Sequence, residues 1–269
     1  MCRYAVEEES QLNMIDAHVH VQGPNVTPGM LEEGDRLGVQ WFVCSTVLGM
    51  GHYPTFERVR RSNDELYGIM QKHPDRIASY CYVNPRHGQQ ALDDFRRRIE
   101  DQRFIGLKLW VATLCDDPLV FPFIEQAIAY RAPILIHAWR KTVGQLPYES
   151  TAEHVANLAR QYPEARILMA HFAGKVENAV NAIEPYPNVY TDTSGTPIGG
   201  AETSIAVSRL GAERVIFGSD LFGACLASNM GKVLGAGLAP EQIDLVMGGN
   251  MRKLMMESAG YSNQFASNI

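Results

Sequence analysis

The chain has 269 residues, a formal charge of −6 and 46% hydrophobic residues, enough apolar material for one sizeable core and too much for a disordered chain. The acidic balance offers no basic face for phosphates, which argues against a nucleic-acid partner. No apolar run reaches the ~20 residues of a membrane-spanning helix, and the opening MCRYAVEEES is acidic where a secretory signal is basic and then apolar, so a soluble, cytoplasmic protein with no membrane partner is expected.

Strand-like runs alternate with amphipathic segments of helical length along the whole chain. The runs are MIDAHVHV (14–21), VQWFVCSTV (39–47), IASYCYV (77–83), FIGLKLW (104–110), PILIHAW (133–139), RILMAHF (166–172), VYTDTS (189–194) and RVIFGSD (214–220). Between them lie helical candidates at 56–73, 87–102, 122–131 and 150–162, the last opening on a Ser150…Glu153 capping box. Regular helices between strands imply parallel crossovers, and eight such units in about 250 residues fit a closed (β/α)8 TIM barrel. No linker or low-complexity tract divides the chain, so one domain over 1–269 is the simpler organisation. An open doubly wound sheet competes, but its first strand would lead into a glycine-rich phosphate turn; here it ends in His-Val-His before Gly23, Pro24 and Asn25. Five cysteines, Cys2, Cys44, Cys81, Cys115 and Cys225, are widely spaced with no CxxC pair, which speaks against a disulfide framework and a thiolate zinc site.

Alternation along the first run puts Asp16, His18 and His20 on one face and Ile15, Ala17, Val19 and Val21 on the other. In a barrel the first set points inward at the C-terminal mouth, where barrel enzymes carry out their chemistry, and the second packs on the outer helices. His137, His171 and Asp220 fall near the ends of later runs, and Lys108 shares a face with Gly106 and Trp110. A lone histidine is more often a hydrogen-bonded core or surface residue than a ligand, but four of the eight histidines at strand ends, joined by a carboxylate, form a cluster. Imidazole and carboxylate together suit Zn2+, and Mn2+, Fe2+ or Co2+ also fit such a set. His52, His73, His87 and His154 are read as structural, with His52 alone in a loop facing the mouth.

In DAHVH (16–20), SNDEL…HPDRI…VNP (62–85), GLKL (106–109), LIHAW (135–139), MAHFAG (169–174), VYTDTSG (189–195), FGSD (217–220) and GNMRKLM (249–255) the chain resembles the amidohydrolase superfamily. Within it the likeness is to the amidohydrolase 2 branch of hydrolases, lactonases and aminocarboxymuconate-semialdehyde-type decarboxylases, and it runs from about Asn13 to Leu254. That resemblance implies a metal held by His18, His20, His137 and Asp220, with Asp220 also the general base for a metal-activated water. It implies that His171 hydrogen-bonds that water or polarises a substrate carbonyl; in two-metal relatives its counterpart is a ligand. Lys108 has three readings: a carbamylated bridge between two ions, a partner for an anionic substrate group, or a buried structural lysine. Where the family often has a proline soon after G-S-D, Leu221, Phe222 and Gly223 follow here.

The first functional expectation is a metal-dependent hydrolase acting on an ester, lactone or amide of a small substrate, carboxylated ones included. The alternatives are a metal-dependent nonoxidative decarboxylase of a small carboxylic acid and a non-catalytic ligand-binding barrel. Trp110, Trp139, Arg140, Tyr53, Thr193 and Phe222, at or beyond strand ends, suggest an aromatic pocket with a cation. Each has a plainer role: the tryptophans could close the barrel top, Arg140 and Lys141 could be a solvated pair, and Thr193 with Ser194 could cap a helix. The loop at 47–55 could fold over the site or be an ordinary turn. Homo-oligomers are common among such barrels, and the sequence leaves assembly open.

Overall fold

Eight short strands lie side by side in chain order, each hydrogen-bonded in parallel to the next. They are β1 (Met14–His20), β2 (Val39–Ser45), β3 (Ile77–Val83), β4 (Gly106–Leu109), β5 (Ile134–Ile136), β6 (Ile167–Met169), β7 (Val189–Asp192) and β8 (Val215–Ile216). The computed structural model describes residues 14–21, 23, 27–48, 54–195 and 199–261. Helices α1 (Thr27–Leu37), α2 (Phe56–Lys72), α3 (Gln89–Glu100), α4 (Phe121–Ala129), α5 (Ala152–Gln161), α6 (Val176–Ile183), α7 (Gly200–Leu210) and α8 (Leu226–Leu234) follow the strands in turn, and α9 (Pro240–Asp244) and α10 (Asn250–Glu257) end the described chain. This is a TIM barrel, as the strand–helix alternation predicts. Among the described residues no helix is long and apolar enough to cross a membrane. Cys44, Cys81, Cys115 and Cys225 are all free thiols, and Cys2 lies outside the described residues.

The barrel closes between β1 and the segment that continues β8. Ala17 N donates to Phe217 O at 3.0 Å and Asp220 N to His18 O at 2.9 Å, while Val19 bridges Leu221 in parallel. Between those bonds the Asp16 carboxylate stands in for backbone partners, accepting from Ser219 N at 2.9 Å and from Ser219 Oγ. Burial pushes that carboxyl up to about 7, against the pull of its hydrogen bonds to Ser219 and the His18 amide.

Strict alternation fails in β1. Asp16 pairs with Phe42 and Val19 with Cys44, so three steps on β1 oppose two on β2, the signature of a β-bulge. Ile15 and Ala17 therefore face the barrel interior, where they join Val43, Tyr80, Leu135, Leu168 and Ile216. Val19 and Val21 pack outward with Phe42 and Cys44. This corrects the sequence expectation that Ile15 and Ala17 pack on the outer helices with Val19 and Val21, and that Asp16 shares the histidines' face. The extra residue brings His18 and His20 inward at the C-terminal end. At the other end Met251, Leu254 and Met255 of α10 plug the interior.

The helix candidates match α2 through α5 to within two residues at either end, but the capping box before α5 is shifted. Ser150 Oγ is occupied by Cys115 N at 3.0 Å, so Thr151 caps the helix and its N–H donates to His154 Nδ1 at 3.0 Å. His154 is structural, as expected.

Candidate metal centre

His18 and His20 meet at the mouth with their Nε2 atoms 3.1 Å apart. Each ring is fixed from behind: His18 Nδ1 lies 2.9 Å from Asp192 Oδ2, and His20 Nδ1 lies 3.1 Å from Ser45 Oγ. A carboxylate can only accept, so His18 carries its proton on Nδ1 and turns the Nε2 lone pair into the mouth. Asp220 Oδ1 stands 3.2 Å from His20 Nε2 and 4.0 Å from His18 Nε2. Two imidazole lone pairs and a carboxylate converging in a buried space repel one another unless a cation lies between them. Lys108 Nζ, 3.0 Å from His18 Nε2, is the cation the chain itself supplies.

Burial governs the protonation of this group. It lowers His18 well below the usual imidazole range, with the Lys108 charge adding to the effect, and lowers His20 and His137 as well. His171 is pushed down to about 4 by burial and then by His137. All four are neutral at pH 7, the state in which imidazole binds a metal. Lys108, fully buried, falls to about 8 through desolvation, opposed by the charges of Asp220 and Asp192. Burial raises Asp220, but the His20 hydrogen bond and the neighbouring imidazoles outweigh it and hold the carboxyl far below its ordinary range.

Strands β5, β6 and β8 end earlier than the sequence runs imply: His137 is the first residue after β5, His171 the second after β6 and Asp220 the fourth after β8. His171 and Asp220 take left-handed backbone with φ of 63° and 62°, a conformation that costs a side-chain-bearing residue about 1–2 kcal/mol. His171 holds it because its amide donates to Asp192 Oδ1 at 2.7 Å and its Nδ1 sits 2.8 Å from Ser194 Oγ.

Among the described residues two groups of side chains could each hold a metal ion: His18, His20 and Asp220, and His18, His171 and Asp192. The second is already knitted by Ser194 Oγ, which lies 3.1 Å from His18 Nδ1 and hydrogen-bonds to Asp192 Oδ1. The first has no bridging hydroxyl: His20 Nε2 faces Asp220 Oδ1 directly, and Lys108 Nζ approaches His18 Nε2. His137 is in neither group. Its ring stands 5.1 Å from His171 and 4.4 Å from Trp110, its Nε2 is 3.0 Å from Glu149 Oε1, and its Nδ1 is buried with no partner among the described residues. Glu149 thus takes the proton-bearing side of His137 and leaves an orphaned nitrogen, as a metal ligand requires. The donor set therefore fits a divalent cation.

The remaining pocket residues divide. Trp110 and Trp139 wall the mouth, Trp139 lying 5.4 Å from His171 and close over Gly174. Arg140 is paired on the rim with Glu153, and Lys141, rather than joining it as a solvated pair, reaches the buried Glu149 at 2.8 Å. Thr193 is fully buried and exchanges hydrogen bonds with Gly218, so it staples β7 to β8 instead of lining a pocket. Phe222 is exposed beside Asp220. Tyr53 and His52 lie outside the described residues.

Sequence reasoning missed Asp192, Ser194 as a bridge, Glu149 and Lys232. Asp192 was legible: with Tyr190 packed inward, period-two alternation turns Asp192 inward too. Lys232 carried no signal, because only packing brings α8 under the loop after β7. There its Nζ donates to Thr193 O and Gly195 O, each at 2.6 Å.

A parallel barrel with imidazole and carboxylate groups converging at its C-terminal mouth is the architecture of a metal-dependent barrel enzyme. The amidohydrolase family model matches residues 15–255, and the chain belongs to that family. Among curated proteins none matches it. Solved structures of the same fold include 5-carboxyvanillate decarboxylase from Sphingomonas paucimobilis, 17% identical with a TM-score of 0.74, covering 91% of this chain and 99% of that one. Another is a dihydroxybenzoic acid decarboxylase from Polaromonas with bound manganese and the inhibitor 2-nitroresorcinol, 16% identical, TM-score 0.70, covering 90% and 96%. A third is 4-oxalomesaconate hydratase from Rhodopseudomonas palustris, 15% identical, TM-score 0.70, covering 95% and 98%.

Proposed function

We propose that this protein is a metal-dependent nonoxidative decarboxylase of a small aromatic acid, with one ion held by His18, His20 and Asp220 and completed by His137. The carrying observation is the composition of the mouth: a carboxylate 3.2 Å from His20 and an ammonium 3.0 Å from His18, between tryptophan walls. The decarboxylases among the structures of like fold support this reading over hydrolysis, which the sequence put first. Manganese in one of them supports Mn2+; Zn2+ suits the same donors.

A bound divalent ion supplies Lewis acidity, drawing off the negative charge of substrate oxygens. Loss of CO2 breaks a ring C–C bond, leaves the electron pair on the ring carbon and requires one proton there. Asp220 is placed to carry it: its side chain is 23% exposed at the mouth, so it can take a proton from a substrate hydroxyl or from solvent and deliver it to that carbon. Lys108, whose Nζ lies 3.0 Å from His18 Nε2, serves as the buried cation for an anionic substrate oxygen once the ion takes that nitrogen. His171 and Ser194 form a neutral hydrogen-bonding edge beside them.

A panel of hydroxylated benzoates in D2O tests this reading. CO2 release with one deuterium on the ring carbon is expected. Hydrolysis of an ester, lactone or amide remains the second reading, favoured by the ionised Asp220 beside the imidazole pair. It predicts oxygen from water in the product and no CO2.

A further inference from the structure

Three polar atoms on neighbouring strand ends are buried with no hydrogen-bond partner among the described residues: Tyr82 Oη, Trp110 Nε1 and His137 Nδ1. They come from the ends of three consecutive strands, β3, β4 and β5. Buried polar groups are nearly always paired, so three such atoms from adjacent strands point to a ligand. In the proposed function His137 Nδ1 belongs to the ion, which leaves two donors.

Tyr82 is 1% exposed and lies two residues after the inward-packed Tyr80, in register with Lys108. Alternation therefore turns it into the barrel at the level of the lysine. Burial alone pushes its hydroxyl well above the ordinary phenol range, so it keeps its proton and donates. The Trp110 indole N–H can only donate. Its ring stands 6.2 Å from His20 and 4.4 Å from His137, and Lys108 Nζ is 5.9 Å from its centre. Two donors, an aromatic face and a nearby ammonium match acceptor oxygens on a planar anion.

We propose that Tyr82 and Trp110 form an oxygen-binding subsite that receives the carboxylate or phenolic oxygens of a planar anionic substrate beside the metal group. The proposal rests on the decarboxylase reading for the substrate's place next to the ion.

Manganese-loaded wild type, Tyr82→Phe and Trp110→Phe are titrated with benzoate, resorcinol and 2-nitroresorcinol, and unfolding temperatures are recorded without ligand. In each variant at least one probe is expected to bind about tenfold or more weakly, in line with loss of a hydrogen bond to a charged oxygen, at unchanged manganese stoichiometry. A loss confined to benzoate assigns the subsite to the carboxylate, and one confined to resorcinol assigns it to the hydroxyls. Ligand-free Tyr82→Phe is expected to unfold at the wild-type temperature or above it, since an unpartnered hydroxyl adds nothing to the free fold. Binding equal in wild type and both variants overturns the subsite alone. Wild type that binds none of the probes also overturns it, while the proposed function is judged separately by CO2 release. A Tyr82→Phe protein unfolding several degrees lower shows a structural hydroxyl and overturns that residue's role.

Discussion

Asp192 Oδ2 accepts the Nδ1 proton of His18 at 2.9 Å, and this one bond decides which nitrogen His18 offers to the mouth. The same carboxylate takes the His171 amide on its other oxygen, so two strand ends are referenced to one buried group. Asp192→Asn keeps the shape but can present its amide N–H to His18, favouring the wrong tautomer. Loss of such a partner typically weakens metal binding about 10- to 100-fold. Manganese titration should show that loss, whereas unchanged affinity removes Asp192 from the site's support.

Asp220→Asn removes the carboxylate proposed both to hold the ion and to carry a proton. Turnover should fall by at least ~100-fold, with some manganese retained by the histidines. Metal analysis beside a CO2 assay separates the two effects, and a variant of near-normal activity would falsify the proton role.

Gly195 has φ of +75°, and an added Cβ would stand 3.1 Å from His171 Nδ1. Gly195→Ala should cost about 1–2 kcal/mol from the left-handed backbone alone, seen by denaturant unfolding. It should also displace the His171 ring, shifting its NMR titration; an unchanged ring signal counts against the tight packing seen here.

Lys232 is 1% exposed, and burial brings it down to about 8 against the opposing charge of Asp192. For a lysine lowered in the fold, the cost of burying charge is full below the folded value and is relieved as pH rises toward the unfolded value of about 10.4. Metal-free protein should therefore gain stability from about pH 8 upward. Lys232→Met should flatten that slope while lowering stability near pH 8, because Thr193 O and Gly195 O lose their donor. Unfolding midpoints at two pH values check both effects, and an unaltered slope refutes the assignment.

Much of this architecture could be read from residue order. Alternating strand and helix runs specify the barrel, and His18, His20, His171 and Asp220 all reach its mouth because each run ends at the C-terminal rim, although β6 and β8 stop short of His171 and Asp220. Two features escaped. The bulge in β1 arises from how β1 pairs with β2, which no single strand's pattern encodes, so Ile15, Ala17 and Asp16 were assigned to the wrong faces. Glu149 and Lys232 act from a loop and a helix, where charged residues are usually solvated, and only tertiary packing reveals that both are buried. Thr193 fails for the opposite reason: its position at a strand end was right, but its hydroxyl is spent on Gly218.

Anomalous scattering from crystals grown with manganese tests the centre most directly. One peak is predicted, bound by His18 Nε2, His20 Nε2 and Asp220, with His137 Nδ1 as the further nitrogen. A peak among His18, His171 and Asp192, or none at the mouth at saturating manganese, contradicts it.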